Sequence, residues 1–454
     1  QCKKVFKNII AYDKFDFDCK KESMYALRPA FDTVADMIGK GKKVPESLLE
    51  IFAQNPEYSA KLDSLINAKD KVPFKIFDKK NAEKLFGKNL NISASQLEKF
   101  NLCRFSYFCN YGLNVRERQR AEITPMQYGT IVHYILERFF GEYTKEEYLS
   151  LEEDKFQKIV CAYLAEYAVK YFGEEQLESN SFTYRLKTIL DNVMYLMKHI
   201  MEELSQSEFF VADCELKIGE DIPSYTIVLT DGHKIAVCGS VDRVDIMQRA
   251  DITYLRIIDY KTGTKQFKLS DILYGINLQM LLYLHSIEAT GGDKYGEIVP
   301  AGILYMPATV PYISSDSLKS IDKLPDELNK KLKMNGLLLK DTEIIHGMDK
   351  TDVATYIPVK IKAGEPVSST SLATLAEFGK IFKKVDMLIA EMGKNIYNGN
   401  IEAKPLKGGH DSCEYCPYDS VCAYRQSNPI TCFSVDNKTV IEEITNEING
   451  KEEE

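Results

Sequence analysis

No uninterrupted apolar run in the 454-residue chain approaches the roughly 20 residues that a membrane-spanning helix needs. No Gly-x-x-x-x-Gly-Lys-Ser/Thr phosphate loop occurs, so this chain is not expected to hydrolyse ATP. The first residues do not read as a secretory leader. The chain begins with Gln1 rather than Met, which reads as a fragment or a processed product. Eleven cysteines, an odd number outside any secretory context, do not make a disulfide framework, and the expected location is cytoplasmic. Positive charge is not in excess: 58 Lys and Arg stand against 67 Asp and Glu, for a formal net charge of −9. That balance argues against a general coat for nucleic acid, which takes its affinity from cations on phosphates. It leaves room for a local basic groove, since acidic residues from Glu442 to Glu454 supply much of the deficit.

What is present is globular. The chain is 44% hydrophobic and 28% charged, with enough length for two or three domains. Its organising stretch reads GSVDRVDIMQRADITYLRIIDYKTG from Gly239, followed by a helix with QMLLY. The apolar segments Lys234–Met247 and Ile252–Tyr260 flank a polar break, which predicts an antiparallel hairpin. Centring the turn between Arg249 and Ala250 sets Asp242 opposite Ile257, with Asp259 diagonal to it on the same face. Alternation then places Lys261 on the face of Asp259. Two carboxylates held together repel, and a cation relieves them. Hard oxygen ligands suit Mg²⁺. A lysine beside them can orient a water or steady developing negative charge. Gln279 and Tyr283, one helical turn apart, project from one face of the next helix.

Along the chain, residues 1–90 read as helical, with Leu27, Phe31, Val34 and Met37 at helical spacing. In NISASQLEKFNLCR, Ser93 or Ser95 can cap a helix, and Glu98 stands three residues after Ser95 as a capping-box partner. The helix over Thr124–Phe140 carries His133 and Glu137 one turn apart, a spacing that suits a metal site. Packing helices follow near Lys145–Phe172 and Phe182–Gln206. Strands are expected near Phe209–Ile218, Tyr225–Leu229 and Ile298–Tyr305, and a last long helix over Thr370–Asn398. Residues 314–364 read as an insertion.

The ordered set Gly-x-x-Asp-Arg-x-Asp, Asp-Tyr-Lys-Thr-Gly and Gln-x-x-x-Tyr resembles the RecB-like branch of the PD-(D/E)XK nucleases. The resemblance implies an α/β fold, with a mixed central sheet flanked by helices in the order αβββαβ and many added helices. It implies Mg²⁺ (or Mn²⁺) held by His133, Asp242, Asp259 and the carbonyl of Tyr260. Lys261 would be catalytic, and Gln279 and Tyr283 would support the site and DNA.

Near the end stands Cys413-Glu-Tyr-Cys416-Pro-Tyr-Asp-Ser-Val-Cys422. Four thiolates can hold zinc or a [4Fe–4S] cluster. The arrangement of one upstream cysteine with three downstream resembles the iron–sulfur staple of the AddB family, which belongs to the bacterial ATP-dependent helicase/nucleases. Iron–sulfur exonucleases associated with CRISPR share it in outline. Cys103 is the fourth ligand implied, because LEKFNLCRFSYF is AddB-like, and Cys109 is its rival. KMNGLLLKDTEIIHGMD also resembles AddB.

The resemblance divides the chain into a helical segment 1–90, a nuclease domain 91–425 and an acidic tail 426–454. It implies an exonuclease acting on single-stranded DNA ends from unwound duplex, in double-strand-break repair. The partner implied is an AddA-like helicase/nuclease. An inactive DNA-binding scaffold is the reading from another class, and the complete His/Asp/Asp/Lys set speaks against it.

Overall fold

The computed structural model describes residues 26–39, 42–69, 75–116, 125–173, 179–263, 266–311, 324–368, 370–422, 424 and 429–452. The chain divides into two compact units, Gln1–Lys75 and Ile76–Glu454. The described part of the first holds helices over Leu27–Gly39, Glu46–Gln54 and Ser59–Lys69. They close around Phe31, Val34, Phe52, Tyr58 and Leu62. The second unit starts ahead of the boundary at residue 90 expected from the sequence.

That second unit is built on a six-stranded sheet. Its strands are β1 (Phe210–Ile218), β2 (Gly239–Arg249), β3 (Ile252–Lys261), β4 (Glu297–Pro307), β5 (Asn335–Leu339) and β6 (Leu372–Ala373). They lie side by side in the order β6-β5-β4-β3-β2-β1. β1–β2, β2–β3 and β4–β5 are antiparallel, whereas β3–β4 and β5–β6 are parallel. A parallel step needs a crossover. Between β3 and β4 it is helix α5 (Gln279–Thr290), which packs on both strands.

The remaining long helices are α1 (Ala94–Leu102), α2 (Pro125–Glu142), α3 (Glu153–Phe172), α4 (Asn180–Ser205), α6 (Leu375–Tyr397) and α7 (Asn437–Glu452). Helix α2 packs against β1 and β3, with α3 and α4 beside it, while α6 packs on α5. The run α2-β1-β2-β3-α5-β4 is the αβββαβ core expected from the motifs. Capping boxes mark the starts of two flanking helices. Thr374 and Glu377 close a capping box on α6. On α1 the box is Ser93 with Gln96 rather than Ser95 with Glu98: Gln96 Oε1 accepts from Ser93 N at 2.8 Å. The side chain of Glu98 is left to another partner.

Three sequence expectations differ from the fold. The first hairpin segment, Lys234–Met247, breaks at Cys238. Lys234–Val237 pairs instead with Asn89–Ile92 and Thr226–Val228 in a small separate sheet. Gly239 restarts the chain as β2, and a Cβ there would come within 2.2 Å of the Tyr283 hydroxyl. The supposed insertion 314–364 supplies β5, a strand of the main sheet with Gly336–Leu339 buried, so its apolar run is a core strand. The acidic tail carries α7, whose Val440, Ile444 and Ile448 are buried one turn apart in the main core. Its acidic count hid an amphipathic face.

Candidate metal centre

The hairpin sets the site. Its turn is Ala250–Asp251, with Ala250 in the left-handed region at φ 51°. Arg249 therefore pairs with Ile252 and Arg243 with Ile258, not in the register expected. Continued by one residue, this register brings Asp242 level with Asp259. The ladder stops there, and the Asp242 carboxylate takes the Tyr260 N–H at 2.9 Å in its place. The two carboxylates are closer than the diagonal arrangement would have made them, because the turn moved by one residue. Lys261 turns back to Asp259, with Nζ 2.6 Å from Oδ2.

Helix α2 brings His133 over the hairpin. The Nδ1 of His133 lies 2.9 Å from Glu215 Oε1, and its Nε2 lies 3.6 Å from Asp242 Oδ2. Glu215 is the residue that sequence reasoning missed. It sits on β1 between two residues paired with β2, Cys214 opposite Arg243 and Leu216 opposite Val241. Its φ of 50° is uncommon for a side-chain-bearing residue. Ser240, inside the Gly-Ser-Val-Asp motif, donates to its other oxygen at 2.8 Å. No local pattern marks Glu215; only strand pairing reveals it. Glu137, expected to share a site with His133, is exposed one turn further on. Among the described residues, one donor atom from each of His133, Glu215 and Asp242 lies within 4.8 Å of the others.

The electrostatics describe an acidic, partly dry pocket. Burial and then the charge of Asp259 push the Asp242 carboxyl up to about 7. Burial would also raise Glu215, but the hydrogen bonds from His133 and Ser240 bring it below its ordinary value. Burial favours neutral His133, yet the Glu215 hydrogen bond and the charge of Asp242 outweigh it and raise its pKa. A site of this kind is stabilised by a bound cation. With Glu215 accepting from Nδ1–H, Nε2 is left as the metal-facing nitrogen, the usual way a carboxylate orients a ligand histidine.

Gln279 opens α5 and donates to Asp259 Oδ1 at 3.2 Å. Tyr283 lies a turn deeper, against Gly239. Burial lifts its phenol to about 12, against a lowering influence of the nearby Ala94 backbone N–H. Its contacts are therefore with the start of β2 and of α1. The Arg and second Asp of the motif serve a buried ionic quartet. Arg243 grips Asp245 at 2.6 and 2.7 Å and Glu203 at 3.0 Å, and Arg256 reaches the same Glu203 at 2.6 Å. Arg243 Nη1 also donates to the buried Tyr260 hydroxyl at 3.4 Å, beneath the hairpin end.

The cysteines gather at the end of α1. Burial raises the Cys103 thiol, and Cys416 adds to the rise. Burial pushes Cys422 up to about 11, with Cys103, Cys416 and Cys413 as its neighbours. Cys109 senses Cys416 and Cys103 too. Among the described residues, no three of these sulfurs lie within 4.8 Å of one another.

A family model for the PD-(D/E)XK nuclease superfamily matches residues 91–423. The chain is 31% identical over 442 residues to the B subunit of the ATP-dependent helicase/deoxyribonuclease of Clostridium acetobutylicum, covering 91% of this chain and 37% of that protein. To its counterpart from Clostridium kluyveri the chain is 35% identical over 397 residues, 84% of this chain and 34% of the relative. To the counterpart from Thermoanaerobacter sp. it is 34% identical over 354 residues, 75% and 30% respectively. The chain thus spans about a third of the length of these curated relatives.

Proposed function

The chain belongs to the PD-(D/E)XK nuclease superfamily, and we propose that it hydrolyses DNA phosphodiesters with a divalent metal, as the nuclease portion of a helicase/deoxyribonuclease of the AddB kind. The observation that carries this reading is the meeting of His133, Glu215 and Asp242 beside the Asp259–Lys261 pair.

The donor set fits Mg²⁺ or Mn²⁺. His133 through Nε2, Asp242, Asp259 and the Tyr260 carbonyl would hold the ion, with Glu215 orienting the imidazole. Such an ion supplies charge neutralisation at the phosphoryl oxygens and a lowered pKa for water. The chain's own residues do the rest. Lys261, anchored by Asp259, orients the attacking water and offsets negative charge that develops on the phosphate. Water oxygen bonds to phosphorus in line as the bond to the leaving sugar oxygen breaks, and the leaving oxygen takes a proton. Gln279 fixes the Asp259 carboxylate, which in turn fixes Lys261.

Cys103, Cys413, Cys416 and Cys422 would hold a [4Fe–4S] cluster. Its role would be a staple, tying α1 to a segment some three hundred residues away, where closing so long a loop restrains the unfolded chain strongly. The nearness of Cys103 to Cys416 and Cys422 supports that reading. The substrate proposed is the single strand released from unwound duplex during double-strand-break processing. The partner proposed is an AddA-like helicase/nuclease, in keeping with the relatives' name.

The test uses purified chain with end-labelled single-stranded DNA in Mg²⁺ or Mn²⁺. Cleavage is expected, and it should vanish in chelator and in Asp259→Ala, whose circular dichroism should match wild type. Cleavage by Asp259→Ala at the wild-type rate would refute the site.

A further inference from the structure

Glu98 is the capping-box residue that does not cap its own helix. Ser93 and Gln96 close that box between themselves. The Glu98 carboxylate instead crosses to α5, where its Oε1 accepts from the Leu278 N–H at 2.8 Å. Leu278 is the residue immediately before Gln279, the first of α5. Gln279 in turn donates to Asp259. Three residues along α1, Asn101 donates to the Gly275 carbonyl at 3.0 Å, in the turn that leads into α5. Gly275 sits at φ 69°, and a Cβ there would come within 2.2 Å of the Asn101 amide. Helix α1 is thus bolted to the entry of α5 at two levels, and it ends at Cys103.

Resting on the nuclease reading of the site, we propose that Glu98 is a positioning residue for Asp259: by holding the Leu278 N–H it fixes the first turn of α5, and thereby the Gln279 amide that orients the metal-binding carboxylate. An unpaired N–H at a helix start is a backbone donor without an intrahelical partner. A carboxylate there satisfies it and also meets the positive end of the helix dipole. Losing this anchor lets the helix entry shift, and Asp259 loses the donor that sets its rotamer. Partners of metal-binding side chains typically cost 10–100-fold in metal affinity or activity when removed, and the low end, about tenfold, suits a residue one bond further out.

The experiment titrates Mn²⁺ into the full chain and reads free Mn²⁺ by electron paramagnetic resonance. Glu98→Ala should weaken Mn²⁺ binding about tenfold. Glu98→Gln keeps an acceptor for Leu278 N–H and should bind close to wild type. Added to Gln279→Ala, the Glu98→Ala change should cost little more, because both act through one contact. In cleavage assays, Glu98→Ala should lower kcat and leave KM unchanged. Wild-type binding by Glu98→Ala would overturn the proposal. So would Glu98→Gln as impaired as alanine, or a full further loss on the Gln279→Ala background. A wild-type chain that takes up Mn²⁺ but cuts no DNA would sink the nuclease reading alone, and the binding figures would still decide the role of Glu98. A wild-type chain that takes up no Mn²⁺ would sink both.

Discussion

Replacing Asp242 by Asn should stabilise the metal-free chain while abolishing its response to Mg²⁺. Burial, and then the charge of Asp259, lift the Asp242 carboxyl from 3.8 to about 7. An acid whose folded pKa lies above its unfolded value is favoured by folding in its protonated form. Its ionisation therefore costs nothing below pH 3.8 and becomes a penalty that grows until the pH passes about 7. At about 1.4 kcal/mol per tenfold change in proton affinity, the penalty is on the order of 2 kcal/mol at pH 5 and about 4 kcal/mol at pH 8. Asparagine keeps an oxygen for the Tyr260 N–H and carries no charge. Denaturant unfolding in chelator should show the variant gaining stability over wild type, with the gain rising by about 2–3 kcal/mol between pH 5 and pH 8. Excess Mg²⁺ should then narrow the gap. At a hundred times Kd a ligand adds about 2.7 kcal/mol to a protein that binds it, and the variant should gain little of this. A variant no more stable than wild type at pH 8, or one whose advantage does not grow with pH, would refute the reasoning.

Lys261→Ala should keep Mn²⁺ binding and lose on the order of 10²-fold or more in cleavage rate, measured in single-turnover assays; loss of metal together with fold would make Lys261 structural. Arg243→Met leaves Asp245 and Glu203 buried with half their partners gone, and thermal or denaturant unfolding should show a loss of about 3–5 kcal/mol. Cys103→Ala and alanine at Cys413, Cys416 or Cys422 should each lower iron content and melting temperature, whereas Cys109→Ala should not, as read by visible absorption and iron analysis. Iron retained in Cys103→Ala and lost in Cys109→Ala would reassign the fourth ligand.

The sequence alone determined what lies within a strand or a helical turn. Side-chain alternation fixed Asp259 and Lys261 on one face, and their ion pair follows from it. The αβββαβ order was implied by the motifs' resemblance to a known family, and the apolar segments placed most of its elements along the chain. Gly239 was visible as a motif residue, and its reason, the Tyr283 ring packed where a Cβ would stand, was not. Tertiary structure decided everything that depended on which elements meet. Ala250 in a left-handed turn moved the hairpin register and brought Asp242 level with Asp259. The pairing of β1 with β2 carried Glu215 to His133 across residues that share no local pattern. Sheet pairing claimed β5 from a stretch that read as an insertion, and packing claimed α7 from a stretch that read as an acidic tail. Glu98 had a plausible local partner in Ser95 and took the Leu278 N–H on a distant helix instead. Local chemistry sets which groups a residue offers. Only the closure of the chain around its core decides which buried donor or acceptor is left to accept them.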